Sequence, residues 1–108
     1  MEVVRMKIAV LASGSKGNCT YIETKETKSL IDIGMTNLYV EKNLIALGID
    51  PKTIENIFIT HTHVDHIAGL KVFINKHHPR VYLTSKMLEE LNYIDDYVLI
   101  DKDMNIKD

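Results

Sequence analysis

Three of the five histidines and one carboxylate fall within six consecutive positions, in Thr60-His61-Thr62-His63-Val64-Asp65-His66. Imidazole and carboxylate together suit zinc, manganese or iron better than calcium. In an extended segment, side chains at i and i+2 point the same way. His61 and His63 can therefore grip one ion while the chain turns and aims Asp65 and His66 at a second. Two divalent ions about 3.5–4 Å apart activate a water at neutral pH and polarise a carbonyl or phosphoryl oxygen, which is hydrolytic chemistry. The competing reading is a polar loop whose histidines only cap the next helix. Ligand spacing and the apolar run before the loop favour the metal.

The elements that must carry this cluster can be read on either side of it. Lys7 to Leu11 has the composition of a buried strand, Ser13 to Asn18 is dense in turn formers, and Cys19 to Thr24 returns as a second strand. Ser29 to Gly34 forms a third strand ending at a glycine, with Asp32 conspicuous in so apolar a run. Val40, Leu44 and Leu47 mark an amphipathic helix with Asn37 as N-cap and Gly48 closing its end in the left-handed conformation. Asp50-Pro51 starts a short helical turn, and Ile57-Phe58-Ile59 is a fourth strand that delivers the chain into His61. A helix from Gly69 to about Lys76 stops at His77-His78-Pro79, since proline disfavours helical geometry in the residue before it. Val81 to Leu83 is a fifth strand, Ser85 caps a helix through Leu91, Tyr97 to Ile100 is a sixth strand, and Asp101 to Asp108 is polar.

At 108 residues the chain is one domain or a piece of one. Hydrophobic residues at 45% and charged residues at 26% exclude a disordered polar chain, and no stretch approaches the ~18 apolar residues of a membrane span. Thirteen basic against fifteen acidic residues leave a net charge of -2, so attraction to a nucleic acid must be local. With no basic and apolar leader at the N-terminus, a cytoplasmic location is expected. Cys19 has no partner for an internal disulfide and is either a plain buried thiol or a reactive one.

His61-Thr62-His63-Val64-Asp65-His66, followed by Ile67-Ala68-Gly69-Leu70, resembles the HxHxDH signature of the metallo-β-lactamase superfamily. The resemblance implies an α/β fold, the N-terminal half of an αββα sandwich with a mixed sheet and flanking helices. It also implies two divalent metal ions, zinc before manganese or iron, held by His61, His63, Asp65 and His66. Asp32 matches the acidic residue that the superfamily places at an early strand end, where it holds a ligand imidazole from behind; capping of local backbone N–H groups is the alternative. Leu11 to Cys19, with Asp32 and the following helix, is similar to the bacterial WalJ/YycJ branch of DNA exonucleases, which implies a nucleic acid substrate. Ser13, Ser15 and Asn18 could then present hydroxyls and N–H groups to a phosphate, although such a loop is also simply a tight turn.

Under this resemblance Asp65 would both ligate the second ion and orient the attacking water. His77 and His78 sit at a helix end and are expected exposed or capping rather than ligating. The family's later ligands have no matching positions, so residues 1–108 are expected to be the N-terminal part of a single domain, exposing a sheet face, binding metal weakly and inactive alone. A missing C-terminal half or self-association would cover that face. A cytosolic thioester or small phosphoester hydrolase, or a non-catalytic half-domain that binds a partner, are the other expectations. A secreted antibiotic-degrading lactamase is disfavoured, since His66 joins the ligand set and no export signal is visible.

Overall fold

The computed structural model describes residues 6–101; the first five residues, and the polar segment expected beyond Asp101, lie outside them. The elements are β1 (Met6–Ala12), β2 (Cys19–Thr24), β3 (Lys28–Ile31), α1 (Asn37–Ala46), a 3-10 turn (Pro51–Thr53), β4 (Asn56–Phe58), α2 (Val64–Ile67), α3 (Leu70–His77), β5 (Arg80–Leu83), α4 (Ser85–Glu90) and β6 (Tyr97–Leu99). The six strands form one sheet in sequence order. β1, β2 and β3 pair antiparallel, and β3 to β6 run parallel. This is the expected α/β architecture with a mixed sheet and flanking helices.

The register assigns each side chain to a face. Ala9, Tyr21, Leu30, Ile57 and Val81 follow one another across the sheet. Ala9 packs against a core that Tyr21, Leu30, Ile57 and Val81 share with Val40 and Leu44 of α1 and with Leu70, Phe73 and Ile74 of α3. Each such side chain removed from water contributes roughly 1.5–3 kcal/mol. Parallel strands that always step in the same direction through right-handed crossovers must place every connecting helix on one face. The opposite face carries Ile8, Val10, Ile22, Ile31, Phe58, Tyr82 and Val98. None of them belongs to the buried core.

That asymmetry corrects the reading of the first strand as buried: Ile8 and Val10 are 62% and 63% exposed because β1 is covered on one side only. The third strand ends at Ile31, not Gly34, because Asp32 takes the left-handed conformation (φ 64°) and breaks the pleat. Two caps lie one residue earlier than expected. The Thr36 hydroxyl, not Asn37, accepts from the Tyr39 N–H (3.2 Å), and the Thr84 hydroxyl, not Ser85, accepts from the Met87 N–H (3.2 Å). Leu47 falls outside the apolar stripe of α1 and is exposed, since it is already the C-cap. Gly48 closes the helix at φ 79°, and Asp50 caps the turn that begins at Pro51, both as expected.

Candidate metal centre

The site grows from the carboxyl ends of two adjacent parallel strands, the edge at which open α/β sheets bind ligands. Ile31 of β3 pairs with Phe58 of β4, so Asp32 leaves its strand beside Ile59, within reach of Thr60 one residue on. Buried Asp32 uses both carboxylate oxygens: Oδ1 accepts from the Thr60 N–H (2.8 Å), and Oδ2 accepts from the Thr60 hydroxyl (2.5 Å) and from His66 Nδ1 (2.7 Å). The same side chain thus accepts from a backbone N–H on the neighbouring strand's extension and from an imidazole.

These bonds fix tautomers. With a carboxylate accepting at Nδ1, the His66 ring keeps its hydrogen there and leaves the Nε2 lone pair free. The Thr60 hydroxyl gives its hydrogen to Asp32 and is left as an acceptor for His61 Nδ1 at 3.1 Å. His61 is thereby biased the same way, with Nε2 available. Thr60 was not singled out from sequence; the signal was a hydroxyl residue immediately before the first histidine and directly after an apolar strand.

Asp65 and His66 lie in the short α2, and His63 occupies its N-cap position. The His63 side chain makes no cap hydrogen bond. Helix capping therefore does not account for it, and it is exposed, as is His61. The turn is fastened from behind. The Asp65 carbonyl accepts from the Asn18 N–H (2.8 Å) and from Asn18 Nδ2 (3.1 Å), and the His66 carbonyl accepts from the Ile33 N–H (2.9 Å). Such contact requires Gly34, where a Cβ would lie 1.7 Å from the Asp65 carbonyl oxygen.

The ring centroids of His61 stand 4.7 Å from those of His66 and 6.3 Å from those of His63. His66 Nε2 and Asp65 Oδ2 are 3.9 Å apart. Bonds of about 2.0–2.2 Å at near-tetrahedral angles put two donors on one ion roughly 3.5 Å apart, so this pair is close to ligating separation. Among the described residues, however, no group of three His, Cys, Asp or Glu side chains is arranged to hold an ion. Donor type, free Nε2 atoms and the support behind His66 fit a divalent ion, and the set amounts to part of a cage.

Ser13 and Ser15 line a groove of about 700 Å³ whose other walls include Asp65, Met35, Tyr39 and Val64. Asn18 serves as a strut instead. Its side chain closes the turn through the Gly14 N–H (3.1 Å) and carbonyl (2.9 Å) besides holding the Asp65 carbonyl. Beneath it, Cys19 is buried in β2, and its thiol is pushed up to about 12 by burial first and by the Asp32 charge second. That is a plain buried thiol.

The remaining histidines belong to the far end of α3. His78 is the left-handed C-cap (φ 55°). His77 differs from expectation: its side chain is only 4% exposed, with Nε2 2.5 Å from Glu41 Oε2 of α1.

The description of the Metallo-beta-lactamase superfamily fits residues 12–103. The chain is 36% identical over 86 residues to exodeoxyribonuclease WalJ of Streptococcus pneumoniae, covering 80% of this chain and 32% of that protein. It is 34% identical over 89 residues to exodeoxyribonuclease YycJ of Bacillus anthracis, covering 82% and 34%. The chain thus spans about a third of the length of these relatives. A Thermotoga maritima crystal structure of the metallo-β-lactamase kind superposes with a TM-score of 0.68 at 20% identity, over 89% of this chain and 59% of that one; this likeness is one of fold.

Proposed function

Since the chain belongs to the metallo-β-lactamase superfamily, whose membership implies metal ions, we propose that it is the N-terminal part of a metal-dependent phosphodiesterase acting as a DNA exonuclease. His61 and His63 would hold one divalent ion, and Asp65 with His66 a second, zinc being the first candidate. When bound, the ions would supply a nucleophilic water at neutral pH and polarise the scissile phosphate.

The observation that carries the reading is the hydrogen bond from His66 Nδ1 to buried Asp32. A carboxylate that sets the tautomer of an imidazole is the usual support behind a metal-ligating histidine. Asp32 holds the proton at Nδ1 of His66, and the Thr60 hydroxyl does the same for His61. Asp65 sits in the first turn of α2 with its side chain 29% exposed, open to a water that it would orient. Its backbone is pinned by Asn18, so this orientation is preorganised. The names borne by the relatives in Streptococcus pneumoniae and Bacillus anthracis favour DNA over other phosphoesters.

The proposal includes a second half, supplied by further chain, that completes the ligand set, because a catalytic zinc ordinarily has three protein ligands and His61 with His63 provide two. Hydrolysis of end-labelled DNA, beside an acyl-glutathione thioester as the competing substrate, tests the function in the parent enzyme. Metal-dependent release of nucleotides from one end, abolished by His61→Ala, is the expected result. Thioester cleavage with intact DNA would reject the nuclease assignment.

A further inference from the structure

We infer that the groove between the Ser13–Gly17 turn and the start of α1 is a nucleotide subsite, in which a phosphodiester sits at Lys16 and the neighbouring serine hydroxyls while the adjoining base lies on Tyr39. The inference rests on the nuclease reading and deepens it by naming the contacts that grip the strand.

The groove's volume, about 700 Å³, lies within the range of small-ligand sites, roughly 300–1,000 Å³. Its chemistry is divided. Lys16 is the one cation among its lining residues, with Ser13 and Ser15 on the same turn, and Asp65 is its one acid, at the candidate metal centre. Met35 and Val64 make part of its wall apolar. An anion is therefore attracted at the Lys16 end and repelled by Asp65 unless a cation is held there. A phosphate held by Lys16 in this groove shares it with Asp65 of the candidate metal centre.

Tyr39 supplies the other half of the recognition. It lies in the first turn of α1, lines the groove and is 47% exposed, an aromatic surface that the fold leaves in water. Its position is fixed locally, since its N–H is bonded to the Thr36 cap. Aromatic side chains beside a cation that tracks the backbone are the recurring means of holding single strands without reading sequence. An apolar acyl group could fill the Met35–Val64 wall but would make no use of Lys16.

Fluorescence anisotropy of a labelled single-stranded oligodeoxynucleotide, titrated with the 108-residue chain, tests the subsite through binding alone. Tyr39→Ala is expected to weaken binding by about tenfold, the loss typical of one stacked base, with Tyr39→Phe close to wild type. Lys16→Gln is expected to lower the slope of log affinity against log salt by about 0.7, the share of one phosphate contact on a single strand. A merely structural role for Lys16 would leave that slope unchanged. If the oligonucleotide binds equally to wild type, Tyr39→Ala and Lys16→Gln, the strand lies elsewhere and the subsite falls while the nuclease reading stands. If the wild type binds no oligonucleotide but binds an acyl-glutathione thioester in a Tyr39-dependent way, both fall together.

Discussion

Asp32 concentrates what the candidate centre depends on at the scale of single residues. It is buried, it adopts a left-handed backbone that few residues tolerate, and its carboxylate bonds to Thr60 and His66. Asp32→Asn keeps a residue type at home at positive φ and retains one acceptor oxygen for the Thr60 N–H. Its amide nitrogen faces a donor at His66 or Thr60, so the His66 tautomer is no longer fixed. Zinc affinity, measured by competition with a chromophoric chelator, is expected to fall 10–100-fold, on the order of effects seen when the partner behind a ligand histidine is lost. Unchanged affinity in a folded Asp32→Asn chain would detach Asp32 from the metal and leave it a backbone cap. The gathering of His61, His63, Asp65 and His66 in one strand-to-helix segment was legible from spacing. The function of Thr60 was not, because its hydroxyl gains meaning only from the pairing of β3 with β4.

Among the elements, the two helices that flank the site are clasped to each other by Glu41 of α1 with His77 and Lys76 of α3. Burial pushes the Glu41 carboxyl up, but hydrogen bonds from His77, Lys76 and Asn37, with the Lys76 charge, outweigh it and hold the group below its ordinary 4.5. A carboxylate with a lowered value in the folded state stabilises the fold above its unfolded value, and that stability is lost as pH falls through the folded value. Glu41→Gln is therefore expected to cost about 2 kcal/mol at pH 7, the scale of a charge-assisted hydrogen bond. Urea midpoints of wild type and variant should converge as pH drops below about 4.5. A gap that stays constant through this range would assign the loss to packing.

This clasp shows where sequence reading gives out. The helical stretch ending at Pro79 was legible from local pattern. The burial of His77 depends on a glutamate 36 positions away, on a helix that only the sheet topology brings alongside. The displaced caps have a smaller cause: Thr36-Asn37 and Thr84-Ser85 each offer two competent capping residues in succession, and the direction of the incoming chain decides between them.

For the molecule as a whole, the decisive feature is that all the packed helices lie on one side of the sheet. The family resemblance implied an exposed sheet face, yet the local pattern could not say which residues line it, and Ile8 and Val10 read as core residues. The register shows that they share the uncovered face with Ile22, Ile31, Phe58, Tyr82 and Val98. Phe58 and Tyr82 stack there across neighbouring strands, with centroids 4.6 Å apart. A contiguous apolar surface of this kind exceeds the scattered exposure normal for a monomer and drives association unless something covers it. Further chain forming a second layer would do so, and without it another copy would. Sedimentation of the 108-residue chain is therefore expected to show concentration-dependent self-association. Replacing both Ile8 and Val10 by lysine should suppress it while changing the unfolding free energy by no more than about 0.5 kcal/mol, because both positions are already mostly in water. Were the wild-type chain to sediment as a monomer at every concentration, the uncovered face would be compatible with water after all. The ground for placing a second half against it would then be gone, and the proposal that residues 1–108 are the N-terminal part of a larger enzyme would rest on the incomplete ligand set.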